Sequence, residues 1–354
     1  MVENMSDVKL SEFYEDTKND YHSRTDLLKF LLMPFAFFVI LGFPGKFGSY
    51  VATYSNFVAQ VFFILYGFFT LVPDKEKRRR KLKRSLKRAL KLFAIMFVSY
   101  VIINVIYLSS LDSLDYLISS DFWRKRNIFN FLVLNVWPLP IGNAIWFVQS
   151  LVYAFLFFFI AQKLKLEKFY APLLIILILF MFCTGEFAAY FGFPHFGYYN
   201  IPGGAVTRAI PYMLIGMYLR KYVDLLSKIP RFVYLLFFPA GLFAAVVELE
   251  TLNRIGMLLY LGHTVGFGIM ALSLCCFSLA KPKRISGFLS LHGNNYSRRM
   301  YAFCQPVSFT LWLLTYLTRP EFLEPVKEFR SIIAFAICLV IATVIGLVKY
   351  NKKA

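Results

Sequence analysis

The sequence predicts an all-α, polytopic integral membrane protein of about ten transmembrane helices with both termini in the cytoplasm. Three observations carry that expectation. Apolar runs long enough to cross a bilayer, about 20 residues each, recur from one end of the chain to the other. Charged residues are only 17% of the total, where soluble domains average about 25%. Positive charge collects in short clusters between the apolar runs. The largest is residues 75–91, KEKRRRKLKRSLKRALK, with eleven Lys or Arg and one Glu.

A basic cluster beside a membrane span is held on the cytoplasmic side, so residues 75–91 orient their neighbours. As a topology anchor, such a run touches anionic lipid headgroups. It also suits an anionic cytoplasmic substrate. Composition narrows the remaining classes: the chain is 58% hydrophobic and 19% aromatic, with a mean hydropathy of +0.59. A net charge of +19 suggests nucleic acid only on a soluble fold with a basic groove, so no nucleic-acid partner is expected. The five cysteines (Cys183, Cys275, Cys276, Cys304 and Cys338) all fall in apolar segments. Their spacing fits neither a zinc site nor a disulfide framework, so free thiols and no metal are expected.

Residues 1–23 are polar and net acidic, which predicts a cytoplasmic tail and not a cleavable signal. Residues 24–348 form one membrane domain, and residues 349–354 a second cytoplasmic tail. The expected spans lie near 27–44, 52–72, 90–109, 143–162, 170–191, 204–219, 232–248, 257–280, 300–318 and 331–348. The smaller basic groups test the orientation. Predicted inner loops hold Lys163, Lys165 and Lys168, then Arg220, Lys221, Lys228 and Arg231, then Lys281, Lys283, Arg284, Arg298 and Arg299. Predicted outer loops mix signs, as Asp112, Asp115 and Asp121 do with Arg124, Lys125 and Arg126. The long outer segment, about 110–142, is amphipathic and carries Trp123 and Trp137. Its run IFNFLVLNVWPLP is too short to span, so it lies in the interface or folds back over the bundle.

Ionisable groups within spans point to function because burying them is costly. Lys29 stands near the inner end of the first span, where snorkelling to the headgroups is the alternative. Glu186, Arg208 and His263 are placed near the outer ends of spans five, six and eight, where they would line an outward-opening polar cavity with Glu186 and Arg208 paired. Interface residues without chemistry are the competing reading. Before the ninth span, Gly293, Asn294 and Asn295 predict a turn. Gln305, Ser308 and Thr310 then give that span a polar stripe, which ordinary helix packing also explains.

Several stretches carry a resemblance. The first span begins RTDLLKFLL, and the second ends VFFILYGFFT and leads into KRSLKRALKLF with Arg84, Lys87 and Arg88. The fourth holds AIWFVQSLVYAFL with Trp146 and Phe147, and GNNYSRRMYAFCQPV precedes the end. In order and spacing they resemble the membrane-bound acyltransferase-3 family, which acylates surface polysaccharides and related acceptors, over about residues 24–348. The chain departs from the family in its first span, where the family has a basic residue, ten others, then a histidine. Counting from Lys29 reaches Ile40, and counting from Arg24 reaches Phe35. In the late motif Cys304 stands at the histidine position.

The resemblance implies a membrane O-acyltransferase moving an acetyl or similar group from acyl-CoA to a hydroxyl of an envelope polysaccharide. Acyl-CoA is a co-substrate, and no resident cofactor is expected. Lys29, Arg84, Lys87 and Arg88 would hold the donor phosphates, as Arg forks and Lys point charges do. Trp146, Arg208 and Gln305 are the expected substrate-binding residues, and His263 or Glu186 the general base. Two alternatives stand beside it: a catalytically silent relative that assists glycan assembly, and a transporter or flippase. The expected location is the cell membrane, multi-pass, with the bilayer, acyl-CoA and an extracytoplasmic hydroxyl acceptor as partners.

The loop charges predict the outcome of cysteine-accessibility labelling. Asp115→Cys and Pro325→Cys label from outside, whereas Arg80→Cys, Leu225→Cys and Ile285→Cys label only from inside. Outside labelling of Arg80→Cys overturns the orientation.

Overall fold

The computed structural model describes residues 23–119, 122–184, 205–254, 264–280 and 288–351, and every regular element among them is helical. A helix stands at each of the ten expected spans. Residues 23–31 are helical and lead through Leu32 into α1, Met33–Leu41, the change of register falling where Pro34 supplies no N–H. α2 (Gly48–Tyr54) and α3 (Phe57–Thr70) form the second span, α4 (Lys75–Ser109) the third. The short α5 (Asp115–Ile118) and α6 (Lys125–Leu134) precede α7, Ile145–Lys163. Then come α8 (Tyr170–Thr184), α9 (Ala209–Lys221), the short α10 (Val223–Lys228), α11 (Arg231–Arg254) and α12 (Val265–Leu279). The last two are α13, Phe288–Thr318, and α14, Leu323–Asn351. Five segments are long and apolar enough to cross a membrane: Gly48–Thr70, Lys75–Ser109, Ile145–Lys163, Arg231–Arg254 and Pro320–Gly346. The chain is an all-α multi-pass membrane protein.

Helix α4 has 35 residues, about 52 Å at the α-helical rise, against a hydrocarbon core of about 30 Å. Its basic first third must therefore project beyond the bilayer. Asp74 caps it, accepting hydrogen bonds from the Glu76 and Lys77 N–H groups at 2.8 and 3.0 Å. The Lys77 bond foremost holds the exposed Asp74 carboxyl below its ordinary value of 3.8. A depressed carboxyl stabilises the cap above that value and loses it as pH falls below. Arg78 fixes the same end: Nε donates to the Val72 carbonyl at 2.7 Å and Nη1 to Glu167 at 2.6 Å. Gln162 at the end of α7 donates to the Lys75 carbonyl at 2.8 Å. Leu82 and Ala89 turn inward, leaving Arg84, Lys87 and Arg88 exposed.

Helices in lipid gain little from burying apolar surface against one another, so close packing of small residues has to hold them. α3 and α9 meet at Gly67 and Gly216. A Cβ on Gly67 would lie 1.9 Å from the Met213 carbonyl oxygen, and one on Gly216 1.9 Å from that of Ile64. α11 and α12 touch in the same way, a Cβ on Gly266 falling 2.3 Å from the Ala245 nitrogen. Phe37, Phe63, Phe68, Phe158 and Phe267 are fully buried at the centre. Phe232, Leu236, Phe243 and Val247 on α11 are exposed, as a lipid-facing surface requires.

The loop between α4 and α7 folds back into the bundle. Phe131 on α6 and Trp137 beyond it pack on Phe97 of α4, with ring centroids 6.1 and 5.6 Å away. Phe97 lies about 18 Å along α4 from its outer end. α6 ends at Asn135, whose φ of 60° is a left-handed cap that Asn tolerates. Irregular backbone at such depth needs protein partners, and it has them. Asn104, fully buried on α4, donates to the Ile141 carbonyl at 2.5 Å and accepts from its N–H at 3.0 Å. Trp137 Nε1 donates to the same carbonyl at 2.6 Å. Gln149 donates to Phe131 O at 2.6 Å, the Tyr153 hydroxyl to Leu132 O, and Asn135 to the Ser150 hydroxyl at 2.6 Å.

One expected turn is absent. Residues 293–295 lie inside α13, whose 31 residues run on as a single helix. The weak helix propensity of Gly and Asn is overridden by the packing of the helix beside α14.

Gly67→Leu or Gly216→Leu pushes α3 and α9 apart. Overpacking costs about 1–3 kcal/mol, and the thermal midpoint of the detergent-purified protein should fall by roughly 5 °C. Asn104→Leu leaves the Ile141 N–H unpaired and its carbonyl with Trp137 alone, at about 1–3 kcal/mol for the orphaned group. Faster hydrogen exchange confined to residues 136–144 is the expected signature.

Candidate functional site

Inner and outer here follow the orientation that the loop charges predict. The inner cavity, about 70 Å³, lies between α1, α3, α4, α7 and α13. Its walls are mostly apolar, with Met33, Ala36, Phe62, Phe147 and Leu151, while Asn56, Tyr66, Ser297 and Arg298 supply the polar groups. Leu92 of α4 is part of its lining. Arg88 and Arg84 are four and eight residues earlier on that helix, about 6 and 12 Å along its axis. Arg298 is largely exposed, so a cation stands where this cavity meets its surroundings.

The outer cavity, about 350 Å³, is larger and more polar. The loop before α7 contributes Pro140, Ile141 and Asn143, and α13 contributes Gln305, Ser308, Phe309 and Trp312. Tyr107 of α4 and Lys327 and Arg330 of α14 complete its wall. Trp312 stacks on Phe309 with centroids 5.7 Å apart and stands edge-on to Tyr107 at 5.3 Å. Arg330 Nε donates to the Leu41 carbonyl at 2.7 Å. That bond ties the end of α1 to α14.

Ile40 lines both cavities. The residue eleven places after Lys29 thus stands where the two spaces adjoin. Cys304 does not line either one. It is fully buried in the apolar core, so the two cavities adjoin at Ile40 and not at the cysteine.

The expected site residues separate into groups. Trp146 lines the inner cavity, and the Arg208 guanidinium lies over its ring, 5.0 Å from the centroid. These two are brought together. Gln305 belongs to the outer cavity, 7% exposed, and the oxygen of its amide has no hydrogen-bond partner. Ser308 shares its face, but Thr310 turns away and donates to the Pro306 carbonyl at 2.9 Å. Lys29 does not snorkel: it is 6% exposed, with Nζ 3.1 Å from Asp26 and 5.5 Å from the Phe69 ring centre. Asp26 and Arg298 both act electrostatically on the Tyr66 hydroxyl, which connects this ion pair to the inner cavity. Arg84, Lys87 and Arg88 line no cavity and face solvent on α4. His263 and Glu186 lie outside the described residues, as does the expected pairing of Glu186 with Arg208.

Sequence reasoning missed Asn143, Arg298 and Arg330. The two arginines stood in the sequence as loop charges, and only the unbroken α13 and the approach of α14 to α1 give them cavity positions. Asn143 sits in a short turn before a span, with no local signal that this turn is deep in the bundle.

No curated protein and no solved structure matches this chain. One family model does, the acyltransferase domain of the acyltransferase-3 type, over residues 24–350. That stretch covers both cavities and every described helix that lines them, so the chain belongs to the acyltransferase-3 family of membrane acyltransferases.

Proposed function

We propose that this protein transfers an acetyl or similar acyl group from cytoplasmic acyl-CoA to a hydroxyl of an envelope or surface polysaccharide. The observation that carries this reading is the pair of cavities adjoining at Ile40, apolar on one side and polar on the other. A donor with phosphates at one end and an acyl group at the other suits the inner side. Its phosphates would lie on Arg84, Lys87 and Arg88, with Arg298 at the cavity, as charge-assisted contacts. Lys29, held 3.1 Å from Asp26, would add a further cation for the donor. Trp146 and Arg208 would flank the acyl end, and Gln305 would meet the acceptor.

In the transfer, the acceptor oxygen attacks the thioester carbonyl. The new C–O bond forms as the C–S bond breaks. The hydroxyl proton passes to a general base, for which His263 and Glu186 are the candidates, and the coenzyme A thiolate leaves and takes up a proton. A second reading has one observation in its favour. The place between the cavities holds the apolar Ile40, one of the two positions, with Phe35, at which the resemblance would put the family's histidine. A silent relative would bind both molecules and transfer nothing.

Mass spectrometry of surface glycans, with and without the gene, separates the two. Acetyl- or succinyl-sized differences are expected, and unchanged masses together with intact acyl-CoA binding favour the silent relative. Neutralising Arg84 and Arg88 together should weaken acyl-CoA binding about tenfold or more, with an effect that shrinks as salt rises. Intact binding with altered membrane orientation would reduce the cluster to an anchor. Ile40→Trp fills the junction, so acyl-CoA binding persists while transfer falls at least a hundredfold. Transfer at the parent rate removes this route.

A further inference from the structure

We propose that the outer cavity selects an anionic, hydroxylated ligand: a glycan unit with a hydroxyl on the Gln305 amide and a carboxylate or phosphate on the Arg330 guanidinium. The inference rests on the acceptor assignment above and narrows it to a chemical class.

Gln305 supplies the first half. Its side chain is more than nine-tenths buried, it faces the cavity, and its amide oxygen has no partner. An unpaired buried acceptor is costly, and the cost is relieved by a donor entering the cavity. A hydroxyl is such a donor. Ser308 on the same face and Asn143 across from it add groups that bond a polyol, and Trp312 and Phe309 offer flat apolar surface to the C–H face of a sugar ring. The volume, about 350 Å³, is at the lower end of small-ligand sites, which run from about 300 to about 1,000 Å³.

Arg330 supplies the second half. Its Nε is committed to the Leu41 carbonyl. This leaves the two terminal nitrogens, whose fork matches an oxyanion. The acids nearby are engaged elsewhere. Glu324 is paired with Lys327 at 2.6 Å, Glu328 accepts from the Gly45 N–H at 3.2 Å, and Glu321 faces Arg319 at 3.5 Å. Among the described residues no carboxylate is paired with Arg330. A neutral sugar uses none of this charge.

The test measures binding to the full chain in nanodiscs with three probes: methyl glucoside, glucuronate and glucose 6-phosphate. At low salt at least one anionic probe should bind about tenfold more tightly than the neutral one, as charge-assisted bonds require. The stronger of the two identifies carboxylate or phosphate as the source. The preference should shrink as salt rises. Arg330→Gln should bring it near onefold, Arg330→Lys should keep part of it, and Gln305→Leu should weaken all three probes alike. If Arg330→Gln does not fold, the salt series on the parent protein decides. Equal affinities, a salt-independent preference, or a preference surviving in Arg330→Gln overturns the proposal. No acyl donor is present, so the outcome is separate from that of acyl transfer. Acyl marks found only on uncharged glycans remove the anion site and leave the transferase. A charge preference without any acyl mark does the reverse.

Discussion

Within a bilayer a backbone N–H or C=O has no water to turn to, and leaving one unpaired costs several kcal/mol. The architecture around the outer cavity depends on meeting that constraint where the chain is not helical. Residues 136–144 enter the bundle as irregular backbone because Asn104 and Trp137 supply partners for Ile141, while Gln149 and Tyr153 take up carbonyls of the last turn of α6 at Phe131 and Leu132. Tyr301 adds another, donating to the Ala144 carbonyl at 2.6 Å just before α7 begins. Without these side chains the loop would have to stay at the surface, and the cavity wall formed by Pro140, Ile141 and Asn143 would not exist.

Much of the fold was legible because hydropathy and charge act locally along the chain. The ten apolar runs each became a helix, and the basic cluster became the exposed end of α4. Contacts between distant segments left no such trace. Nothing around Gly67 or Gly216 marks them as touching, since the signal is a shared small size 149 positions apart. Asn104 reads as one more polar residue in an apolar span until Ile141 is seen against it. The predicted turn at residues 293–295 failed for the same reason, because neighbours in space outweighed local propensity.

The site was legible in part. Gln305 stood out as a polar side chain within a span and Trp146 through the family resemblance, and both line cavities. Arg208 was expected to meet Glu186, which lies outside the described residues, and its guanidinium lies over the Trp146 ring. An arginine in a low-dielectric interior can use a ring face as well as a carboxylate, and sequence order does not say which. Ile40 was noticed for what it lacks. Its position between two spaces of opposite character gives that absence a physical setting.

The helix that carries the phosphate-seeking cluster is also the one that holds the loop of the opposite cavity. From Lys75 to Ser109 it contains no Gly or Pro at which to bend. Arg84 and Arg88 lie toward one end, Leu92 beside the inner cavity, and Asn104 near the other end with Ile141 in its grip. Such a rod moves as a piece. A load taken up at its charged tip is delivered, with little loss, to the wall facing the acceptor. The two compartments are therefore mechanically joined although no molecule needs to pass between them.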